Sequence, residues 1–220
     1  MHIPDGFVSG PINALGFAVA VAACAIALIV TRRTLGERQA PLLGMTAAFV
    51  FAAQMLNFPV AGGTSGHFLG ATFALALLGP WAACLVLSLV LIVQCLLFAD
   101  GGLTALGSNI VNMGVVGVAV PAAVMAGLRL ILPRTRMTGL VTVAIAAWCS
   151  VMAAAAACAL QLGASGHPLA AVLPAMLAVH AVIGIGESLI TAAVVSAVLA
   201  ARPDLLPGIA APPRPVGVAA

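Results

Sequence analysis

Long apolar stretches, separated by short breaks rich in polar residues, glycine or proline, run through nearly the whole chain. A helix needs about 20 apolar residues to cross the hydrocarbon of a bilayer. The pattern predicts an all-α membrane protein with seven transmembrane helices, at roughly 10–31, 41–58, 67–79, 81–98, 108–132, 138–162 and 169–201. The third is short, and Gly79-Pro80 divides it from the fourth. The seventh is long enough that it has to tilt or extend past the membrane. Residues 1–201 thus read as one membrane domain, and 202–220, with prolines from Pro207 to Pro215, as a tail expected to be disordered.

The charged positions orient this pattern. Arg32, Arg33 and Arg38 lie between the first two predicted helices; Arg129, Arg134 and Arg136 lie around the end of the fifth; Arg202 and Arg214 follow the seventh. Seven crossings put all three groups on one side, which the excess of arginine in cytoplasmic loops makes the inside. An even count would strand one group. The N-terminus and the loops 59–66, 99–107 and 163–168 are then outside, and the C-terminus is cytoplasmic.

Composition agrees. Of 220 residues, 64% are hydrophobic and 6% charged, against roughly 25% charged in average soluble domains. The expected surroundings are membrane lipids, in the inner (plasma) membrane of the cell. The small basic surplus bears on topology and does not point to nucleic acid. Five cysteines, Cys24, Cys84, Cys95, Cys149 and Cys158, all fall in apolar runs without a CxxC pair, so neither a disulfide framework nor a zinc site is expected. The start has no basic leader-like segment, Pro4-Asp5-Gly6 interrupts it, and Met1 is expected to be retained before the large His2.

That terminus carries candidate chemistry. The Met1 amine and the His2 backbone nitrogen close a five-membered ring on a metal, and the His2 backbone nitrogen with its imidazole Nδ1 closes a six-membered one. Three such nitrogens and a fourth from elsewhere suit tetragonal Ni(II), Co(II) or Cu(II). The plainer alternative is a frayed terminus. His67, entered through Gly62-Gly63-Thr64-Ser65-Gly66, falls on the same outer side and is either the fourth ligand or a surface histidine; Ser65 is placed to cap the helix that follows. Asp5 and Asp100 are outer carboxylates that serve either as turn residues or as partners of an imidazole. Asn109 and Asn112, three apart, share a helix face and either bind helices together or tether an inserted tail; Gln54, Asn57 and Gln94 admit the same two readings. His180 and Glu187 lie two turns apart in the last helix, where ionisable groups are functional by default: a structural pair, a partner-coupling element, or a proton or ion relay. There is no GxxxxGK[ST] loop and no HExxH, so neither an ATPase nor a metalloprotease is expected. The chain does not read as an enzyme.

Four segments together resemble a known family: Met1-His-Ile-Pro-Asp-Gly-Phe7, Gly66-His67-Phe-Leu-Gly70, the run from Gln94 through Asp100-Gly101-Gly102 and Ser108-Asn109 to Asn112-Met113-Gly114, and His180-Ala-Val-Ile-Gly-Ile-Gly-Glu187. They are similar to the CbiM/NikM family, the substrate-capture components of energy-coupling-factor transporters for cobalt or nickel, over about residues 1–200. The resemblance implies seven helices with the N-terminal tail folded into the bundle. It implies a transported Co(2+) or Ni(2+) held by the Met1 amine, the His2 backbone nitrogen, the His2 imidazole and the His67 imidazole. Asp5, Ser65, Asn109, Asn112, His180 and Glu187 are expected to be polar groups that either support that set or serve the structure. It also implies a CbiQ-like transmembrane coupling subunit, a CbiO-like ATPase and a CbiN-like small membrane subunit. The expected function is capture of Co(II) for uptake, feeding cobalamin synthesis. The alternatives are nickel specificity, an autonomous secondary transporter using the His180–Glu187 face, or a purely structural membrane subunit.

Overall fold

The computed structural model describes residues 1–36, 39–60, 64–206 and 208–209. Arg38, the Gly62-Gly63 pair, Pro207 and the tail from Ala210, including Arg214, lie outside the described residues.

Helix α1 (Gly10–Thr34) opens behind an extended Ser9 with Pro11 in its first turn; proline is favoured there because that N–H has no partner in the helix. Helix α2 (Ala40–Gln54) also starts on a proline, Pro41. It stops before Pro59, whose ring would cost a helix interior about 3 kcal/mol. The chain then forms a hairpin absent from the all-helical expectation: β1 (Asn57–Val60) pairs antiparallel with β2 (Thr64–His67), with Asn57 opposite His67. The third helix therefore begins at Ala71 rather than at residue 67, and Ser65 caps nothing: it sits within β2, and Gly70, at φ 76°, precedes the helix.

Helix α3 (Ala71–Phe98) contains a break at Gly79 (φ 77°, ψ 173°) followed by Pro80. Such a φ favours glycine. Gly117 packs beside Ala71, whereas Gly114 packs beside Cys84 and Ser88. Thirteen residues of straight helix would separate Ala71 from Cys84 by about 20 Å, yet Gly114 and Gly117 are only about 5 Å apart along their helix. The chain therefore doubles back at Gly79. The segments before and after it are distinct pieces, as Gly79-Pro80 in the sequence suggests.

Leu106–Ile131 forms one span, made of α4 (Leu106–Asn109), a π-helical stretch (Ile110–Val116) and α5 (Gly117–Ile131). Pro121 deprives the Gly117 carbonyl of its usual partner, and the Ser150 hydroxyl donates to it at 2.5 Å. Helices α6 (Arg136–Ala164) and α7 (Leu169–Ala201) pack closely. Gly184 lies beneath Trp148, whose Nε1 donates to the Ala181 carbonyl at 3.2 Å.

Among the described residues five helices are long and apolar enough to cross a membrane, and α2 is a shorter apolar helix, so the seven separate helices expected from the pattern do not appear as drawn. Leu15, Leu97 and Val182 are exposed by 62%, 74% and 70%; on helices this apolar, such faces meet lipid. The tail end gathers the starts of α1 and α7 with the end of α6: Ser9 N–H donates to Ser165 Oγ at 3.0 Å, and the His167 Nε2 lies 2.8 Å from the Phe7 carbonyl. The arginines sit at the opposite ends of the helices, Arg32 and Arg33 closing α1 and Arg129 closing α5. Helix α7 does not pass directly into an unstructured tail. Pro203–Leu205 form a 3-10 turn, and Leu206 and Ile209 are buried, with Ile209 against Gly139.

Candidate metal centre

The N-terminal segment is threaded into the bundle by its backbone. Asn109 Oδ1 accepts the Ile3 N–H at 2.9 Å and its Nδ2 donates to the Ile3 carbonyl at 3.2 Å; the Gly102 N–H donates to the same carbonyl at 2.8 Å. Gly102 must be glycine for this approach, because a Cβ there would collide with the Asp5 backbone nitrogen. Asp5 closes the fastening, its Oδ1 accepting from the Thr104 hydroxyl at 2.6 Å and N–H at 2.7 Å, and its Oδ2 from the Leu103 N–H at 3.2 Å. Those bonds to Thr104 hold the Asp5 carboxyl below the usual range. The Met1 side chain is inside the core.

Asn109→Ala is expected to loosen this anchor. The sequence has no lysine, so the Met1 amine is the single primary amine. It should react faster with an acylating reagent once Ile3 is released; an unchanged rate would mean the tail is held elsewhere.

Three nitrogen-bearing groups meet under the tail. Met1, His2 and His67 are 0%, 3% and 0% exposed. The His2 and His67 ring centroids are 4.6 Å apart at 46°, and the Met1 amine lies 3.4 Å from Ser65 Oγ. Alternation along β2 sends Ser65 and His67 to one face and Thr64 and Gly66 to the other. His67 Nδ1 lies 2.7 Å from the Phe68 carbonyl. A carbonyl only accepts, so the neutral ring carries its proton on Nδ1 and leaves a bare lone pair on Nε2. That Nε2 is buried without a partner among the described residues, as is the Nε2 of His2. The His2 Nδ1 is 3.8 Å from Asp100 Oδ1, and Asp100 in turn accepts from Asn57 Nδ2 at 2.8 Å. Which His2 nitrogen faces inward is set by rotation of the ring about Cβ–Cγ.

The electrostatics favour donors without protons. Burial lowers the Met1 amine to about 5 and His2 to about 3, the latter helped by the neighbouring amine. Burial and then that amine hold His67 well below the usual imidazole range. Neutral amine and imidazole are the forms that bind metal. A buried polar atom left unpaired costs roughly 1–3 kcal/mol, so a cation shared by these lone pairs would remove a standing penalty. Among the described residues no three His, Cys, Asp or Glu side chains are placed to hold a metal ion by themselves.

Asn112, His180 and Glu187 take hydrogen-bond partners outside this group of nitrogens. Asn112 Nδ2 donates to Gln161 Oε1 at 2.9 Å and binds helix to helix, its place in the π-helical stretch separating it from the partner of Asn109. His180 lies behind β2, its Nε2 close to Gly66 and its Nδ1 2.7 Å from the Met176 carbonyl. Glu187 accepts from the Leu69 and Gly70 N–H groups. His180 and Glu187 thus have separate partners and form no pair. Sequence reasoning passed over Gly102 and Thr104 as anchors of the tail and Gln161 as the partner of Asn112. The only signal for the first two was their place in the Asp100–Asn109 run.

Comparison with known proteins gives a consistent picture. A family model described as CbiM, cobalt uptake substrate-specific transmembrane region, matches residues 2–205. The chain is 37% identical over 233 residues to the fused nickel transport protein NikMN of Rhodobacter capsulatus, covering 98% of this chain and 66% of that one. It is 32% identical over 218 residues to the cobalt transport protein CbiM of Sorangium cellulosum, covering 94% of each. A crystal structure of a truncated transition metal transporter superposes with a TM-score of 0.85 at 33% identity, over 91% of this chain and 99% of that one.

Proposed function

The chain belongs to the CbiM family of cobalt-uptake substrate-specific transmembrane regions, and from that premise we propose that it is the metal-capture subunit of an ATP-driven energy-coupling-factor importer. It is a multi-pass membrane protein of metal transport, with five apolar helices long enough to span. The substrate we assign is Co(II), supplied for cobalamin synthesis, with Ni(II) as the alternative. The observation that carries the reading is the burial of the Met1 amine, His2 and His67 together beneath a tail that Asn109 pins in place.

Capture follows from the donors. The neutral amine and the His67 Nε2 offer lone pairs directly. The His2 backbone nitrogen shares its lone pair with the carbonyl, so it binds a metal only after giving up its proton, and the His2 imidazole closes the second ring. Ser65, Asp100 and Asn57 orient these groups from outside.

The tail end is the outer face in this reading and the arginine end the cytoplasmic one. The reversal at Gly79, with α2 counted as a crossing, supports seven membrane segments. Energy comes from partners: a CbiO-like ATPase, acting through a CbiQ-like coupling subunit, and a CbiN-like small membrane subunit. The fused form of the Rhodobacter relative supports the last. Residues 202–220 lie on the cytoplasmic side in this reading.

Elemental analysis of protein purified with a free Met1 amine should find about one cobalt or nickel per chain. Uptake in cells should stop when the partner ATPase is inactivated. Metal-free protein under saturating Co(II) and Ni(II) would sink the capture reading; undiminished uptake without the ATPase would favour an autonomous carrier.

A further inference from the structure

Glu187 is 1% exposed and, 18 residues into α7, supplies no donor to the centre described above. Its two oxygens are nonetheless fully engaged. Oε2 accepts the Leu69 N–H at 2.7 Å and Oε1 accepts the Gly70 N–H at 2.8 Å. The Leu69 N–H belongs to the same planar peptide unit as the Phe68 carbonyl, and that carbonyl is the partner of His67 Nδ1 at 2.7 Å. The next peptide unit is gripped likewise, its N–H by Glu187 and its carbonyl by Gln54 Nε2 of α2 at 2.7 Å. A carboxylate on α7 and an amide on α2 thus fix two consecutive peptide planes. The first of those planes fixes the imidazole.

We propose that Glu187 is a positioning residue for the captured metal: through the Phe68–Leu69 peptide it holds the His67 ring so that Nε2 faces the Met1–His2 tail. This rests on the capture reading above. The carboxylate is suited to the task, since it offers acceptors at both oxygens and no donor. A helix end is also involved. Leu69 and Gly70 lead into α3, and an anion at a helix N-terminus is favoured by the exposed N–H groups there. Because the carboxylate belongs to α7, any displacement of that helix turns the peptide plane and with it the ligand. Glu187 therefore ties the geometry of the centre to the position of a long membrane helix.

The test is Glu187→Gln. The amide keeps the volume but turns an NH2 toward one of the two N–H groups. Metal-free protein in detergent is titrated with Ni(II) or Co(II), reading both affinity and the ligand-field absorption of the bound ion. Loss of an outer partner of a ligating histidine typically costs 10- to 100-fold in affinity. The expected result is a loss of about that size with a changed spectrum, and no further loss when the substitution is added to His67→Ala, because both act through one ring. An equal loss in the His67→Ala background, or an unchanged affinity and spectrum with only a lower melting temperature, would overturn the proposal and leave Glu187 a structural cap. Should Glu187→Gln fail to fold, Glu187→Asp keeps the charge but draws the oxygens back from both N–H groups; a changed affinity and spectrum is expected, and unchanged values count against the proposal. Wild-type protein that binds neither metal would defeat the capture reading and this inference together, whereas wild-type binding beside an indifferent Glu187→Gln defeats only the inference.

Discussion

Protein carrying one extra residue ahead of Met1 is expected to retain no cobalt or nickel after desalting. Two effects act together. An added residue converts the terminal amine into an amide whose lone pair is delocalised, and it moves the free amine out of five-membered ring closure with the His2 nitrogen. It also needs space where there is none, since Met1 is 0% exposed and overpacking a filled interior costs about 1–3 kcal/mol. Loss of an outer partner already weakens metal sites 10- to 100-fold, so loss of a donor is expected to exceed roughly a hundredfold. Acetylation of the amine separates the effects, because it removes the donor while adding few atoms. Metal titration of the three forms is the measurement. An extended or acetylated chain that binds as tightly as the free one would show that the amine is no ligand.

His67→Ala is expected to reduce uptake to background while leaving a folded bundle. The substitution removes a side chain outside the tail whose Nε2 is buried without a partner among the described residues and whose ring lies 4.6 Å from that of His2. It also leaves the Phe68 carbonyl without its partner. Tail contacts through Asn109, Gly102 and Thr104 do not depend on His67, so the tail should stay docked, with the Met1 amine as slow to acylate as in the wild type. Radiotracer uptake in cells, read beside that acylation rate, checks both halves. Normal uptake would make His67 a residue of the hairpin and nothing more.

Much of the architecture was legible because membrane helices announce themselves by length. The apolar runs located four of the five long helices among the described residues singly and covered the fifth, α3, as two stretches divided at Gly79-Pro80, where its backbone breaks. The hairpin was not legible. Asn57–Val60 and Thr64–His67 are four residues each, too short for alternation to stand out against apolar surroundings, and their pairing is closed by backbone hydrogen bonds. The same holds at the centre. Met1, His2 and His67 were visible as chemistry, but Gly102 matters through the side chain it lacks. Glu187 matters through backbone groups more than a hundred positions away. Contacts made by the main chain leave little trace in residue type.

The burial of the centre has one more consequence, for timing. The amine, His2 and His67 are almost wholly enclosed among the described residues, so under the proposed capture an ion could reach them only if something moved aside. If capture proceeds as proposed, exchange would wait on withdrawal of the tail, and its pace would be set by the bonds at Ile3 and Asp5 as well as by the metal–nitrogen bonds. Asn109 and Thr104 would then be a latch whose grip governs how long an ion dwells, so that residence and affinity could be adjusted separately.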